Sequence, residues 1–254
     1  MLKLLDEKDI DIIKSIGDKS LLGTRIVCYS LSYGFNTAFL DIWASDKALI
    51  SRFEDTFTLV ASTDADFGEI EEFLNVIGCI ELVTDEKTAK KLTSYSYEIK
   101  KAYIYRAENQ YSALVTDLNE NDMKNAYALI GSSIPGSFSQ DRDSYLSFLS
   151  DFRYRQNRGF ARGKCIKKEG IIVSTSVTAA ETATGAIISG VACRNDFRGE
   201  GFGKMIVTSL AEELKNEGKN AYVIALNKKA EGFYEHIGFE ETEKIAYIKR
   251  CNNV

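Results

Sequence analysis

The sequence predicts an α+β protein: a mixed, mostly antiparallel twisted sheet flanked by helices, preceded by a second, smaller α+β domain. Three observations predict this class. The 254 residues are 44% hydrophobic and 27% charged, which is typical of a folded chain long enough for two small domains. Short β-branched and aromatic runs between turn residues indicate strands. Amphipathic runs that end at Gly78 and Gly218 indicate surface helices.

Residues 1–110 are predicted to form the first domain, and the polar stretch 107–110 is the predicted boundary. A loosely helical spacing of isoleucines predicts a helix over 9–22. The next β-branched and aromatic runs predict an antiparallel meander of strands over 24–31, 37–44, 48–53 and 57–62. The rest of this half is predicted as a helix over 66–77, a strand over 79–83, a helix over 85–92 and a strand over 95–106.

Residues 111–254 are predicted to form the second domain. Its first elements are a strand over 112–117, a helix over 119–130, a loop over 131–140 that holds Pro135, and a helix over 141–153. Strands are predicted over 160–167, 171–178 and 185–193. The strongest amphipathic helix covers 204–216, and the chain closes with a strand over 221–226, a helix over 228–237 and a strand over 245–250.

The composition excludes several kinds of site. His236 is the only histidine, so zinc sites built on two or three histidines are impossible, and we expect no metal. The five cysteines lack CxxC pairing, which fits free thiols in a reducing cytosol. The sequence has no run of 18 apolar residues, so no membrane helix is predicted, and the N-terminus lacks the pattern of a secretory signal. We therefore expect a cytoplasmic protein without a membrane partner.

Charge is unevenly distributed along the chain. Residues 1–110 carry 13 basic and 19 acidic residues, whereas residues 111–254 carry 19 and 18. The net charge of −5 gives no basic footprint for nucleic acid, and we expect none to bind. An anionic ligand would prefer the second half.

The most informative segment is the glycine-rich loop 191–204, VACRNDFRGEGFGK, which joins a predicted buried strand to the best predicted helix. Glycines at a helix mouth let a ligand approach the backbone closely. The first amides of a helix have no partner within it, and the helix dipole adds positive potential there. Together these features predict a phosphate cradle, in which three or four bonds of roughly 1.5–3 kcal/mol each would hold a pyrophosphate without a metal.

Two common phosphate-binding motifs do not fit this loop. A Walker A loop needs GxxxxGK followed by Ser or Thr, but Gly203-Lys204 is followed by Met205, and Arg198 stands where the first glycine belongs. The dinucleotide fingerprint GxGxxG is one residue longer than Gly199-x-Gly201-x-Gly203, and it belongs to a parallel βαβ unit. An ordinary strand-to-helix turn is the structural alternative.

The string RGEGFGKM instead resembles the coenzyme A loop of the GNAT superfamily of N-acetyltransferases, R/Q-x-x-G-x-G/A, with Arg198, Gly201 and Gly203 at the motif positions. A second GNAT motif, N-x-x-A-x-x-F-Y-x-x-x-G-F, is similar to residues 227–239. The resemblance covers residues 111–254. One departure is Cys193, where many members carry proline in V-x-P.

The resemblance implies acetyl-CoA as co-substrate, with no metal, and an open strand edge against which the pantetheine arm pairs with the backbones of Val191 and Cys193. A backbone N–H of the same bulge would stabilise the oxyanion. Tyr234 holds the family's position for the acid that protonates the leaving thiolate; the alternative is a core aromatic residue. Asn227 either contacts pantetheine or caps its helix. The implied coenzyme-binding residues are Val191, Ala192, Cys193, Arg198, Gly199, Glu200, Gly201, Phe202, Gly203, Lys204, Asn227 and Tyr234.

The general base is not identified by the sequence. Strand 186–193 carries no carboxylate, Glu181 and Asp141 are interpreted as solvated surface groups, and His236 as a surface residue. The basic segment 142–168 either recognises a substrate carboxylate or forms a solvated face, and we favour the solvated face.

The first half resembles a diverged copy of the same fold, and its two-part layout is similar to that of glycine N-acyltransferase-like enzymes. Asp64 and Asp66 stand where a coenzyme loop would lie, so we expect no coenzyme there.

These observations predict an acyl-CoA-dependent N-acyltransferase that moves acetyl from acetyl-CoA to a primary amine of a small molecule or amino acid. The alternative is a CoA-binding sensor or regulatory module without turnover. A nucleotide-binding protein of another fold fits less well. The acceptor, acyl length and oligomeric state, monomer or homodimer, stay open.

Overall fold

A computed structural model describes residues 1–17, 20–93, 95–108, 112–134, 139 and 141–250. Pro135 and Cys251 lie outside these residues. Contacts divide the chain into two compact units, each built from separate segments. The first unit contains Met1–Tyr103, Ile224–Tyr234 and Glu241–Val254, and the second contains Ile104–Val223 and Glu235–Glu240. The predicted division of the sequence into 1–110 and 111–254 stays a prediction.

The first unit begins with two helices and continues through a strand meander. Its elements are β1 (Lys3–Leu4), α1 (Ile10–Gly17), α2 (Leu21–Tyr33), β2 (Leu40–Ser45), β3 (Ala48–Phe53), β4 (Thr56–Ala61), α3 (Phe67–Val76), β5 (Glu81–Asp85) and α4 (Glu86–Ala89). The strand β6 (Tyr95–Tyr105) and the elements α8 (Lys228–His236) and β12 (Phe239–Arg250) contribute residues to both units.

The sheet of the first unit has the order β1-β2-β3-β4-β5-β12-β6. The strands β4 and β5 are parallel and are connected through α3, whereas the other pairs whose register is described are antiparallel. The last strand of the chain pairs here, with Ile245 opposite Asp85 and Lys249 opposite Glu81. The first unit therefore needs residues from the C-terminal end of the chain to complete its sheet.

The predicted strand over 24–31 is wrong, because these residues form most of α2. Ser20 begins the helix, since its hydroxyl oxygen accepts from the N–H of Gly23. A Cβ on Gly23 would lie 1.7 Å from the carbonyl oxygen of Gly17, so the two helices touch through glycine backbone. Ile26 of α2 also shares a buried cluster with Leu40 of the sheet, so tertiary packing overrides the β propensity of the helix residues.

The second unit contains the glycine loop and a sheet of order β11-β10-β9-β8-β7. Its elements are β7 (Val115–Asp117), α5 (Met123–Ser133), α6 (Arg142–Gln156), β8 (Gly163–Lys168), β9 (Ile171–Glu181), β10 (Gly185–Cys193), α7 (Phe202–Asn216) and β11 (Asn220–Ile224). Only β10 and β11 pair in parallel among the described pairs of this sheet. The predicted fold class, mixed and mostly antiparallel with flanking helices, is confirmed.

The core of the second unit lies between the helix α5 and the middle of the sheet. Met123 and Ile130 of α5 pack with Val177 and Ala192 of the adjacent strands, and all four are buried. This packing fixes β9 and β10 immediately before the glycine loop begins. In the described part of the chain, no helix is both long and apolar enough to cross a bilayer.

Candidate coenzyme-binding site

The strand β10 has an irregular pairing just before the glycine loop. Ser189 lies opposite Val177 and Ala192 lies opposite Thr175, so three steps along β10 match two along β9. This extra residue is a β-bulge, and Gly190 takes φ +58° within it. A Cβ on Gly190 would lie 2.9 Å from Cδ1 of Ile130, so both the backbone angle and the packing require glycine.

One edge of β10 is open beyond the bulge. The parallel pairing with β11 runs from Gly185–Asn220 to Ile187–Tyr222, and no described pair continues it. The N–H of Arg194 donates to the carbonyl oxygen of Val173 at 2.9 Å, so by alternation the N–H and C=O of Cys193 face away from β9. The backbone of Cys193 is therefore presented to the edge on which the pantetheine arm was expected.

Two buried hydroxyl groups of β9 bond to β10 on either side of the bulge. Ser174 donates to the carbonyl oxygen of Ala192 at 3.0 Å, and Ser176 donates to that of Ser189 at 3.5 Å. Both serines are fully buried. Sequence reasoning did not identify these residues or Gly190, although the polar run STSVT in an otherwise apolar strand is a signal that could have.

The loop itself leaves the start of α7 without a side-chain cap. A short 3-10 turn, Asn195–Phe197, leads into Gly199 at φ +89° and Gly201 at φ +84°, the residue that precedes the helix. The first helical bond described is from the N–H of Met205 to the carbonyl oxygen of Gly201, at 2.9 Å. The N–H groups of residues 202–204 precede that bond, which makes them available to an anion.

The space in front of this loop is open. A Cβ on Gly199 would meet no described atom within 4 Å, and one on Gly201 would meet only Cε of Met205, at 3.9 Å. Gly199, Glu200, Gly201 and Lys204 are exposed. Neither glycine is therefore needed for packing against the residues that the structure describes.

Charged and aromatic side chains support the loop. Arg198 is exposed, and its Nε donates to the carbonyl oxygen of Cys193 at 3.3 Å. Phe202 is buried, and the ammonium of Lys168 lies 5.4 Å from its ring centroid. Burial raises the pKa of the Cys193 thiol, which keeps it protonated at neutral pH.

The matching family model is that of the FR47-like protein, over residues 168–248. A curated relative, the uncharacterised N-acetyltransferase ycf52 of Gracilaria tenuistipitata var. liui, is 28% identical over 72 residues, which are 28% of this chain and 40% of the relative. The match thus spans less than half of that protein.

Solved structures cover far more of the chain. An acetyltransferase of the GNAT family from Colwellia psychrerythraea aligns over 98% of this chain and 99% of its own, with a TM-score of 0.64 and 10% identity. A tandem GNAT protein from the clavulanic acid biosynthesis pathway aligns over 98% and 97%, with a TM-score of 0.60 and 11% identity. The chain therefore has the fold of these GNAT proteins.

The two residues taken from the second GNAT motif, Asn227 and Tyr234, lie in the segment Ile224–Tyr234, which groups with the first unit. Asn227 is exposed, and its Oδ1 accepts from the N–H of Ala230 at 3.0 Å, so it caps α8. Tyr234 is buried, with its ring centroid 6.3 Å from that of Tyr103, and burial raises its pKa to about 12. The tyrosine is therefore a protonated member of a buried aromatic cluster.

The interpretation of Glu181 as a solvated surface group is wrong. Glu181 is 1% exposed, and its carboxylate pairs with the guanidinium of Arg162 and, at 2.7 Å, with the ammonium of Lys219. Arg162 also bonds Glu217 through two nitrogens, at 2.6 and 2.7 Å. The carboxylate is thus committed to an ion-pair network. Asp141 caps α6, because it accepts from the N–H of Ser144 at 2.8 Å.

The expectation of a solvated face over the basic segment 142–168 is wrong for several of its members. Arg155 is buried and pairs with Asp151, Lys164 pairs with Asp117 at 2.7 Å, and Lys167 pairs with Asp122 at 2.8 Å. The sequence could not reveal these pairs because most of the acidic partners lie far away along the chain. Much of the segment's charge is neutralised within the fold.

The only histidine and the described cysteines lie outside the glycine loop, apart from Cys193 at its start. His236 is exposed, as expected of a surface residue. Over the described ranges, no group of His, Cys, Asp and Glu has the arrangement of a metal site. The described cysteines are free thiols, namely Cys28, Cys79, Cys165 and Cys193.

Proposed function

We propose that this chain is an acyl-CoA-dependent N-acyltransferase that transfers acetyl from acetyl-CoA to a primary amine of a small molecule or amino acid. The observation that carries the proposal is the uncapped start of α7, with Gly199 and Gly201 in left-handed conformations beside the open edge of β10. An open strand edge can bind the amide-bearing pantetheine arm. The helix start that follows it along the chain can bind the diphosphate.

The residues present fit this ligand. The N–H groups of Phe202, Gly203 and Lys204 would donate to the diphosphate, and no Cβ at Gly199 or Gly201 obstructs that approach. Arg198 adds a guanidinium to the same loop. Val191 and Cys193 would bond the pantetheine arm through their backbones, as the GNAT resemblance implies. Hydrogen bonds to a charged acceptor are worth about 1.5–3 kcal/mol each, so a few of them suffice for binding without a metal.

The chemistry requires a neutral amine, an oxyanion donor and a proton for the leaving thiolate. Acetyl-CoA supplies an activated thioester, whose carbonyl carbon the amine attacks. A free alkylamine is mostly protonated at neutral pH, so a base or a water relay must remove its proton. A backbone N–H in the bulge of β10 would stabilise the oxyanion. We assign Tyr234 as the acid from the GNAT motif, and its raised pKa keeps the phenol protonated.

The experiment compares two glycines at opposite ends of α7. Gly201 at φ +84° and Gly218 at φ +79° both have positive φ, and an added Cβ would meet open space or only Met205. Gly201→Ala and Gly218→Ala therefore carry similar backbone strain, but only the first places a methyl group at the proposed diphosphate site. We expect calorimetry to show a loss of CoA affinity of tenfold or more for Gly201→Ala only. Equal affinities of both variants and the unchanged protein would contradict the proposal.

Turnover separates the enzyme from a CoA-binding sensor. Release of free thiol from acetyl-CoA is followed with a panel of primary amines, including free amino acids. Release that depends on an amine supports the enzyme. Tight CoA binding without release on any amine supports the sensor, for which the absence of a carboxylate on β10 is the relevant feature. We also propose a cytoplasmic location, which free thiols favour.

A further inference from the structure

The first unit contains a cavity of about 260 Å³ at the carboxyl ends of β4 and β5. Val60, Ala61 and Phe67 line one side, where β4 passes into α3, and Leu22 of α2 adds a further apolar contact. The volume is below the roughly 300–1,000 Å³ of pockets that take drug-sized molecules. The cavity therefore suits a ligand of only a few heavy atoms.

This place in the first unit corresponds by topology to the glycine loop in the second. The parallel strands β4 and β5 are joined through α3 as β10 and β11 are joined through α7. The local chemistry differs, because Asp66 caps α3 by accepting from the N–H of Glu69 at 3.0 Å. Asp64 pairs with Lys47 at 2.6 Å, which lowers its pKa to about 2. A capped helix start with two carboxylates nearby disfavours a diphosphate.

Charged groups of both signs line the cavity. Glu243 of β12 and Asp85 at the end of β5 supply carboxylates, and Lys87 and Lys91 supply ammonium groups. No ion pair is described for Glu243, Lys87 or Lys91, and one oxygen of Glu243 accepts from the N–H of Leu21 at 3.1 Å. Burial raises the pKa of Glu243, and the charge of Asp85 adds to the rise. Among the described residues, no ammonium or guanidinium group is therefore paired with the carboxyl group of Glu243.

We propose that this cavity binds a small zwitterion, an α-amino acid with an apolar side chain. Its ammonium would bond Glu243 and Asp85, its carboxylate would bond Lys87 or Lys91, and its side chain would contact the apolar wall. A ligand of this class brings one positive charge for the two carboxylates and one negative charge for the two lysines. A plain amine would leave the lysines without a partner, and a fatty acid would place its charge beside two carboxylates.

The test measures binding to the full-length chain by calorimetry with three matched probes. Norleucine carries both charges, pentylamine is the same molecule without the carboxylate, and hexanoate is the same molecule without the amine. We expect norleucine to bind at least about tenfold more tightly than either partner, because each charge-assisted bond contributes a tenfold or larger factor. Equal binding of norleucine and pentylamine, or no heat with norleucine at millimolar concentration, would overturn the proposal.

Two variants locate the binding. Glu243→Gln keeps an oxygen that can accept from Leu21 and removes the charge, so we expect norleucine affinity to fall about tenfold or more with little change in thermal unfolding. The double substitution Lys87→Met with Lys91→Met removes the ammonium groups proposed to bond the ligand carboxylate. Both lysines are exposed, so this change should not disturb packing. Unchanged norleucine affinity in both variants would overturn the proposal.

Gly201→Ala separates this inference from the proposed function. The cavity belongs to the first unit and does not depend on coenzyme binding, so norleucine affinity should persist in this variant. Norleucine binding that is lost in Gly201→Ala and kept in Glu243→Gln would instead place the amino acid at the acyl-acceptor site and overturn the assignment to the cavity. If Gly201→Ala loses CoA binding but keeps norleucine binding, the amino-acid site in the cavity is supported.

Discussion

Nε of Arg198 donates to the carbonyl oxygen of Cys193 at 3.3 Å, so a loop side chain is tied to the end of the open strand β10. The same guanidinium can both shape the loop and face a phosphate. We expect Arg198→Met to lower CoA affinity about tenfold, the value of one charge-assisted bond. Arg194→Met is the control, since Arg194 pairs with Asp196 in the same loop at 3.4 Å. Equal losses in both variants would indicate a general charge effect only.

Gly190 allows a test of the bulge. Its φ of +58° and the 2.9 Å approach of an added Cβ to Ile130 predict that Gly190→Ala costs about 1–3 kcal/mol in the free energy of unfolding, measured with urea. We also expect lower turnover, because the bulge would hold the oxyanion donor. Gly170→Ala, at φ +79° with open space, should cost less and leave turnover unchanged. If turnover survives Gly190→Ala, the bulge has no catalytic role.

Tyr234→Phe tests the proposed acid. A general acid contributes about a hundredfold or more, so we expect kcat to fall by that factor with CoA affinity retained. Tyr103→Phe removes a phenol from the neighbouring ring in the same buried cluster and should change kcat little. A full rate in Tyr234→Phe would leave the tyrosine as a core aromatic residue.

Glu217 makes the second unit sensitive to acid. Bonds from Arg162 lower the pKa of Glu217 from 4.5 to about 2, so the folded state prefers the charged form. The stabilisation is complete above about pH 4.5 and is lost progressively as the pH falls toward 2. We expect Glu217→Gln to reduce the loss of stability over that interval, as followed by urea unfolding at several pH values.

Glu240→Gln is the control for this pH series. Glu240 is exposed, and no ion pair is described for it. Its substitution should leave the slope of stability against pH unchanged. A slope that responds equally to both variants would show that Arg162 does not stabilise the charged form of Glu217.

Local patterns predicted much of the fold. The strands 48–53 and 185–193 have the predicted bounds, because turn residues or a loop delimit each of them, and Asp66 begins α3 as its spacing indicates. The prediction of a strand over 24–31 was wrong because the contact between Gly17 and Gly23 is a tertiary feature, which local patterns do not reveal.

The candidate site was predictable only in part. The glycine loop could be identified because its proposed role depends on local backbone conformation, and the structure places Gly199 and Gly201 at positive φ. The hydroxyl bonds of Ser174 and Ser176 depend on the register of β9 against β10, which the sequence does not reveal. The buried carboxylate of Glu181 accepts from Lys219, which is 38 residues away along the chain. Pairings over such separations are set by the assembled sheet.

The pairing of β12 with β5 has a consequence for biosynthesis. On the ribosome, β5 emerges long before residues 245–249, its antiparallel partners, have been translated. During that interval the nascent N-terminal portion exposes an unsatisfied strand edge, which is a template for wrong pairing between chains. Maturation of the N-terminal portion must therefore wait until β12 has been translated, and a ribosome that stalls before β12 would release an aggregation-prone product.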